Sequence, residues 1–278
     1  VMELALVSGA AFLLLLTSSV VGSLARALLD SVGDEWVSEA VGGEICEAAA
    51  FGWGMLAFAS WFFRRPKRAL VRRLARFGRS RVKACVVSVL LHSVVVMTVA
   101  LIQTKKDPVL VSWKNVETAV YRHDGSLASA ETMHKLLLAP MKEELFFRGV
   151  IVLAATNRLR SVRWSAALSS LLFAAIHLAN ARRIGSQYSA SYVAFQVLWA
   201  ALVGLFLALK LAVSGSLVES IALHVINNVF ALGVSKASAM DLTQPVVSVS
   251  VLAAVAIYST AIAWQLQLLR RASHNKQP

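Results

Sequence analysis

Cysteine is almost missing from this 278-residue chain, and acidic residues are scarce. Only Cys46 and Cys85 are present, both in or beside apolar stretches and without CxxC or Cys/His spacing, so neither a disulfide framework nor a structural zinc site is implied. The HExxH pattern of zinc proteases is missing, as are GxSG and the paired aspartates of GxGD enzymes. No internal repeat or low-complexity linker interrupts the chain, which therefore reads as a single domain over residues 1–278. Fifteen Asp and Glu stand against 28 Lys and Arg, a formal charge of +13. The basic residues fall between hydrophobic runs and lack interleaved aromatic stacking motifs, which argues against a nucleic-acid partner and for a membrane-flanking role.

What the chain has in excess is apolar side chains. They make up 58% of the residues, with a mean hydropathy of +0.66, against about 45–50% in soluble domains. Runs long enough to cross a bilayer, which takes about 20 helical residues, occur near 4–28, 41–63, 84–103, 132–156, 164–181, 188–212, 216–235 and 246–269. The expected fold is an all-α polytopic transmembrane helical bundle with about eight spanning helices in contact with the lipid bilayer. The stretch from Leu4 to Val21 lacks a basic flank and a clear cleavage site and reads as a retained span, and Val1 before Met2 suggests a start further upstream.

Lys and Arg accumulate in cytoplasmic loops. The segment from Arg64 to Lys83 holds ten basic residues and no acidic one, so it is assigned to the cytoplasm. Alternation then puts Asp30, Asp34, Glu35 and Glu39 outside, and Arg158, Arg160, Arg163 and the tail with Arg270, Arg271 and Lys276 inside. Arg182 and Arg183, on the outer side, run against this bias. Leu70, Val71, Leu74 and Phe77 share one helical face of the basic segment, the pattern either of an amphipathic helix lying on an anionic leaflet or of a plain topology-fixing loop. Residues 104–131, with Pro108, Gly125 and mixed charge, form the longest candidate loop.

Three apolar segments carry polar clusters: Glu143, Glu144 and Arg148 in KEELFFRG, Phe173 and His177 in FAAIH, and His224 and Asn228 in HVINN. An ionisable residue at membrane depth costs on the order of 2.5–3.5 kcal/mol on insertion scales and marks a functional candidate. Residues four apart share a helical face, and adjacent ones diverge by about 100°. Glu144 and Arg148 are therefore expected to pair in an orienting ion pair, while Glu143 projects elsewhere with no cation on its own face. Burial without a partner raises a carboxyl group toward the working range of a general base, which makes Glu143 the candidate to deprotonate a water that His177 polarises. His224 and Asn228, one turn apart, are suited to donate together to a developing oxyanion; Asn227 is a substitute lying about 60° off that face. Phe173 is expected to pack on His177. Glu143, His177 and His224 also offer the residue types of a catalytic zinc site, but the preferred reading is without metal or other cofactor.

EExxxR, then FxxxH, then HxxxN, in this order and each on its own apolar segment, resembles the CAAX protease and bacteriocin-processing family of glutamic-type intramembrane endopeptidases, over about residues 132–234. The resemblance implies a hydrolase in which Glu143 and His177 activate water and His224 and Asn228 stabilise the tetrahedral intermediate, with Glu144 and Arg148 in the same site. Its substrate would be a membrane-associated protein or peptide, prenylated in one branch of the family. A bacterial plasma membrane is the favoured setting, and the endoplasmic reticulum or an organelle the alternative. From another class, a transporter or channel with a buried Glu/His/Arg relay would show paired helix interruptions in two halves; Pro140 is one such interruption and has no counterpart. A non-catalytic membrane scaffold is the third reading.

Overall fold

The computed structural model describes residues 2–32, 39–74, 83, 86–90, 92–94, 112–122, 124–233 and 245–274. Helix α1 (Met2–Val32) and α2 (Glu39–Phe62) pack along each other, and the short α3 (Lys67–Leu74) follows; α4 is Trp113–Val120. α5, residues 129–159, is one continuous run that alternates α-helical Ser129–Met133, Ala139–Glu144 and Val152–Leu159 with π-helical His134–Leu138 and Leu145–Ile151. α6 (Val162–His177) continues into a 3-10 turn, Leu178–Arg183; α7 (Ala190–Ser214), α8 (Leu217–Gly233) and α9 (Pro245–His274) complete the order. The protein is an all-α polytopic membrane protein, and among the described residues there is no named strand.

Among the described residues, five helices are long and apolar enough to cross a membrane, within α1, α2, α6 with its 3-10 extension, α7 and α9. Of the eight expected spans, 84–103 lies largely outside the described residues. The 132–156 span is the composite α5, and 216–235 is α8, of 17 residues. Both are the segments whose polar side chains dilute the apolar run. Lipid-facing positions follow from burial: Phe12, Leu13, Leu171, Leu198 and Leu252 are all more than 60% exposed, which in a bilayer satisfies rather than penalises them.

Local chemistry sets the helix ends. Pro140 has no N–H to donate and sits at the start of Ala139–Glu144, just after the first π turn; a π turn is one way a helix absorbs a missing bond. Arg160 closes α5 at φ 53°, and Ser161 Oγ accepts from the Trp164 N–H to open α6. Gly215, at φ 68°, ends α7 in the left-handed region that only glycine adopts cheaply, and its N–H bonds Leu211 O at 2.7 Å.

The core is built in patches between helices. Val7, Ala11, Phe51, Met55, Val150, Ile151 and Ala154 pack together with Leu70 of α3. Leu70 is only 2% exposed, so α3 seats this apolar residue on α1, α2 and α5. This qualifies the surface-helix expectation. Phe77, part of that expected face, lies outside the described residues. A second patch, Val152, Ala166, Ala208 and Leu209 with Leu266 and Leu269, ties the C-terminal ends of α5, α7 and α9 to the start of α6.

Candidate active site

The second π turn carries Arg148 into the bundle. Arg148 and Glu144 are both 0% exposed, with Arg148 Nη1 2.9 Å from Glu144 Oε1. The expected stripe is thus formed, and a third member joins from 80 residues away: His224 Nδ1 lies 2.8 Å from the same Glu144 oxygen. Because a carboxylate only accepts, this contact places a proton on Nδ1. His224 Nε2 then faces Glu143 Oε2 at 3.5 Å. Glu143 is therefore not isolated, as its own helix face suggests, but sits against an imidazole supplied by α8. Glu143 is also the less buried of the two carboxylates, its side chain 32% exposed against 0% for Glu144.

Phe173 links the clusters. Its ring meets His177 edge-on with centroids 5.0 Å apart, His224 at 5.7 Å and Phe147 at 5.2 Å, while the Arg148 guanidinium carbon stands 4.3 Å above its centroid. A guanidinium over an aromatic face in a desolvated site is worth about 2 kcal/mol. Such stacking helps to hold a cation whose nitrogens otherwise lack hydrogen-bond partners. His177 Nδ1 bonds Phe173 O at 2.9 Å. A carbonyl only accepts, so His177 too carries its proton on Nδ1 and leaves Nε2 as the acceptor nitrogen.

Phe173, His177, His224, Asn227 and Asn228 line one cavity of about 110 Å³, closed otherwise by side chains of α7 and by Phe230 and Ala231 of α8. Within it, the expected convergence of His224 and Asn228 on one oxygen is not formed. Both His224 nitrogens are turned to carboxylates, and Asn228 Nδ2 donates to Lys135 O at 2.9 Å. Helical phase explains this. A π turn at 134–138 brings the Lys135 carbonyl beside α8, and the amide satisfies it. Asn227 faces the opposite way, Nδ2 to His92 Nε2 at 3.0 Å, with Tyr258 Oη 3.3 Å from the same imidazole. His92 is accordingly a hydrogen-bonded core residue.

Several contributors are invisible in the motifs. Gly204 of α7 leaves room for the guanidinium: a Cβ there would lie 3.2 Å from Arg148 Nη2, 3.2 Å from Phe173 Cδ1 and 3.3 Å from Ser170 Oγ. A glycine in a long apolar helix is a sequence signal of close approach, though not of what approaches. Ser169 Oγ donates to Phe147 O at 2.8 Å, and Ser170 to Ala201 O, clamping α6 to the second π turn and to α7. α2 braces α5 on the other side through Lys142 Nζ to Glu47 Oε1 at 2.8 Å and His134 Nδ1 to Glu44 Oε2 at 2.5 Å. Glu219 of α8 is 2% exposed and paired with Lys210 of α7 at 3.1 Å.

Among the described residues, no three His, Cys, Asp or Glu side chains are grouped as a metal ion needs. The comparisons with curated proteins and with solved structures returned no match. The family model described as Type II CAAX prenyl endopeptidase Rce1-like matches residues 130–230, a little over a third of the chain. That stretch contains all three polar clusters and runs from the start of α5 to the last turns of α8. Residues 130–230 are thus similar to the type II CAAX prenyl endopeptidase family, a similarity that supports a CAAX-type intramembrane protease in general.

Proposed function

We propose that the chain is a metal-free glutamic-type endopeptidase that hydrolyses a peptide bond of a membrane-associated substrate with water activated by Glu143 and His177. The observation that carries the reading is the run of polar contacts Arg148, Glu144, His224, Glu143: a buried ion pair, a hydrogen bond and a 3.5 Å approach. Arg148 holds Glu144 ionised in place; Glu144 fixes the His224 tautomer; His224 presents Nε2 to Glu143. A contact of 3.5 Å is long for a direct hydrogen bond and is one that a proton or bridging water completes. There Glu143 takes a proton from water as the oxygen attacks the scissile carbonyl carbon. The C–N bond then breaks as Glu143 returns the proton to the leaving amine. His177, with Nε2 as acceptor, orients the water. The developing oxyanion is met by Asn228, once substrate backbone displaces its amide from Lys135 O, and by His224 when Nε2 as well as Nδ1 carries a proton and that N–H turns from Glu143 to the oxyanion. Asn227 is committed to His92 and is given no catalytic role. A single domain over 1–278 with its protease core at 132–234, in a bacterial plasma membrane, is the setting we assign.

The test is cleavage of a panel of prenylated and unmodified membrane peptides by the purified full-length protein, comparing wild type with Glu143→Gln and His177→Ala, with and without chelator. Loss in both variants and indifference to the chelator are expected. Loss on chelation would replace this mechanism by a metal-dependent one, and full activity of Glu143→Gln would remove Glu143 from its role.

A further inference from the structure

We infer that a groove between the start of α6 and the C-terminal parts of α7 and α9 holds one anionic phospholipid, with an acyl chain in the groove and the phosphate on Arg163 and Arg270. The groove has a volume of about 490 Å³, within the roughly 300–1,000 Å³ of small-molecule sites. Its wall is apolar: Ala167 of α6, Leu205 and Leu209 of α7, and Leu266 of α9. The other residues that line it, Ser161, Arg163 and Trp164, all stand where α6 begins. Polarity thus changes along the groove as it does along an amphiphile, with the head at the start of α6 and the chain toward Leu205. Trp164 is 70% exposed, and an indole so placed sits at headgroup level in a bilayer. The groove is separate from the site described above. At 1.5 Å per residue, Arg163 stands about 21 Å along α6 from His177.

Charge selects the class of lipid. Leu266 and Leu269 of α9 pack with Val152 of α5 and Ala166 of α6, which sets the end of α9 beside the end of α5 and the start of α6. Arg270 lies four residues beyond Leu266, on the same helical face and one turn nearer the chain end. Arg158 and Arg160, at the close of α5, precede Ser161 almost directly. Arg158, Arg160, Arg163, Arg270 and Arg271 are therefore gathered at one end of the groove, and among the described residues none of the five forms an ion pair. Arg26, Lys135, Lys142, Arg148 and Lys210, by contrast, each meet a carboxylate. Guanidinium groups without a counterion, beside an apolar groove between spanning helices, fit a phosphate, which arginine binds in bidentate fashion. A zwitterionic headgroup brings its own cation and leaves the cluster unmatched.

Full-length protein in phosphatidylcholine nanodiscs, doped with acyl-brominated phosphatidylglycerol or with acyl-brominated phosphatidylcholine, tests this. Bromine quenches tryptophan on contact, and subtracting the signal of Trp164→Phe isolates that of Trp164. One arginine at an anionic headgroup corresponds to about a fivefold gain in affinity, so half-maximal quenching should need a roughly twentyfold lower fraction of phosphatidylglycerol than of phosphatidylcholine. Arg163→Gln and Arg270→Gln should each cut that preference about fivefold. Arg182→Gln with Arg183→Gln, an equal loss of charge at the other end of α6, should leave it unchanged, and Ala167→Phe, which fills the groove and keeps the arginines, should abolish it. Equal quenching by the two lipids overturns the inference. So does a preference that survives Arg163→Gln with Arg270→Gln, that falls as far with Arg182→Gln and Arg183→Gln, or that persists in Ala167→Phe, since each of these assigns it to surface charge alone. Quenching needs no cleavage, so its outcome is independent of the protease reading.

Discussion

Removing Arg148 tests the architecture of the site most directly. Arg148→Met keeps the length and apolar stem of the side chain and deletes the guanidinium, leaving Glu144 with 0% exposure and His224 as its one polar contact. Taking one partner from a buried ion pair costs about 3–5 kcal/mol, because the remaining charge is neither solvated nor matched. The loss of the guanidinium from the Phe173 face acts in the same direction. Replacing both partners, Arg148→Met with Glu144→Gln, removes the stranded charge, and such exchanges are often neutral. Equilibrium unfolding in mixed detergent should therefore find the single variant less stable by about 3–5 kcal/mol and the double variant restored by most of that amount. Cleavage should be lost in the double variant, since the His224 tautomer depends on the Glu144 carboxylate, and reduced in the single one, where that carboxylate remains but loses the guanidinium that holds it in place. A single-variant loss below about 1 kcal/mol, the scale of a solvated pair, would refute the claim that this pair is buried as described.

Gly204→Ala places a methyl 3.2 Å from Arg148 Nη2 and Phe173 Cδ1; overpacking of this kind costs about 1–3 kcal/mol, and unfolding should show it together with reduced cleavage. His177→Ala should abolish cleavage while costing no more than about 0.5–1.5 kcal/mol, the worth of its one backbone hydrogen bond, a split read by comparing unfolding with activity. Asn227→Leu leaves the buried His92 imidazole without its amide partner at 3.0 Å and should destabilise by about 1–3 kcal/mol without abolishing cleavage. Lys142→Met strands Glu47, 13% exposed, and should loosen α2 from α5, seen as earlier unfolding and faster proteolysis of the α1–α2 pair.

The all-helical membrane fold was legible because apolar runs of about 20 residues leave few alternatives where backbone groups must be satisfied internally. The pairing of Glu144 with Arg148 and of Phe173 with His177 was legible for a narrower reason: each pair lies four residues apart on one helix, and helix geometry alone puts such side chains together. Pro140 was visible as an interruption, but the π turns it accompanies were not. Those turns change the phase of α5, and with it the carbonyl that Asn228 meets. That Asn228 Nδ2 meets the Lys135 carbonyl was therefore not legible, since equal spacing on α8 says nothing of what waits on α5.

Sequence by itself determined that this chain lives in a membrane, which of its segments are basic, and which polar residues are costly at depth. Tertiary structure decided that His224 reaches Glu144 and Glu143 across 80 residues, that Asn227 turns to His92, and that Gly204 makes space for Arg148. The division has one physical cause. Contacts within a helix are set by a fixed rise and rotation per residue. Contacts between helices depend on the rotation of each about its own axis and on its depth, and these are settled only when all the helices pack together.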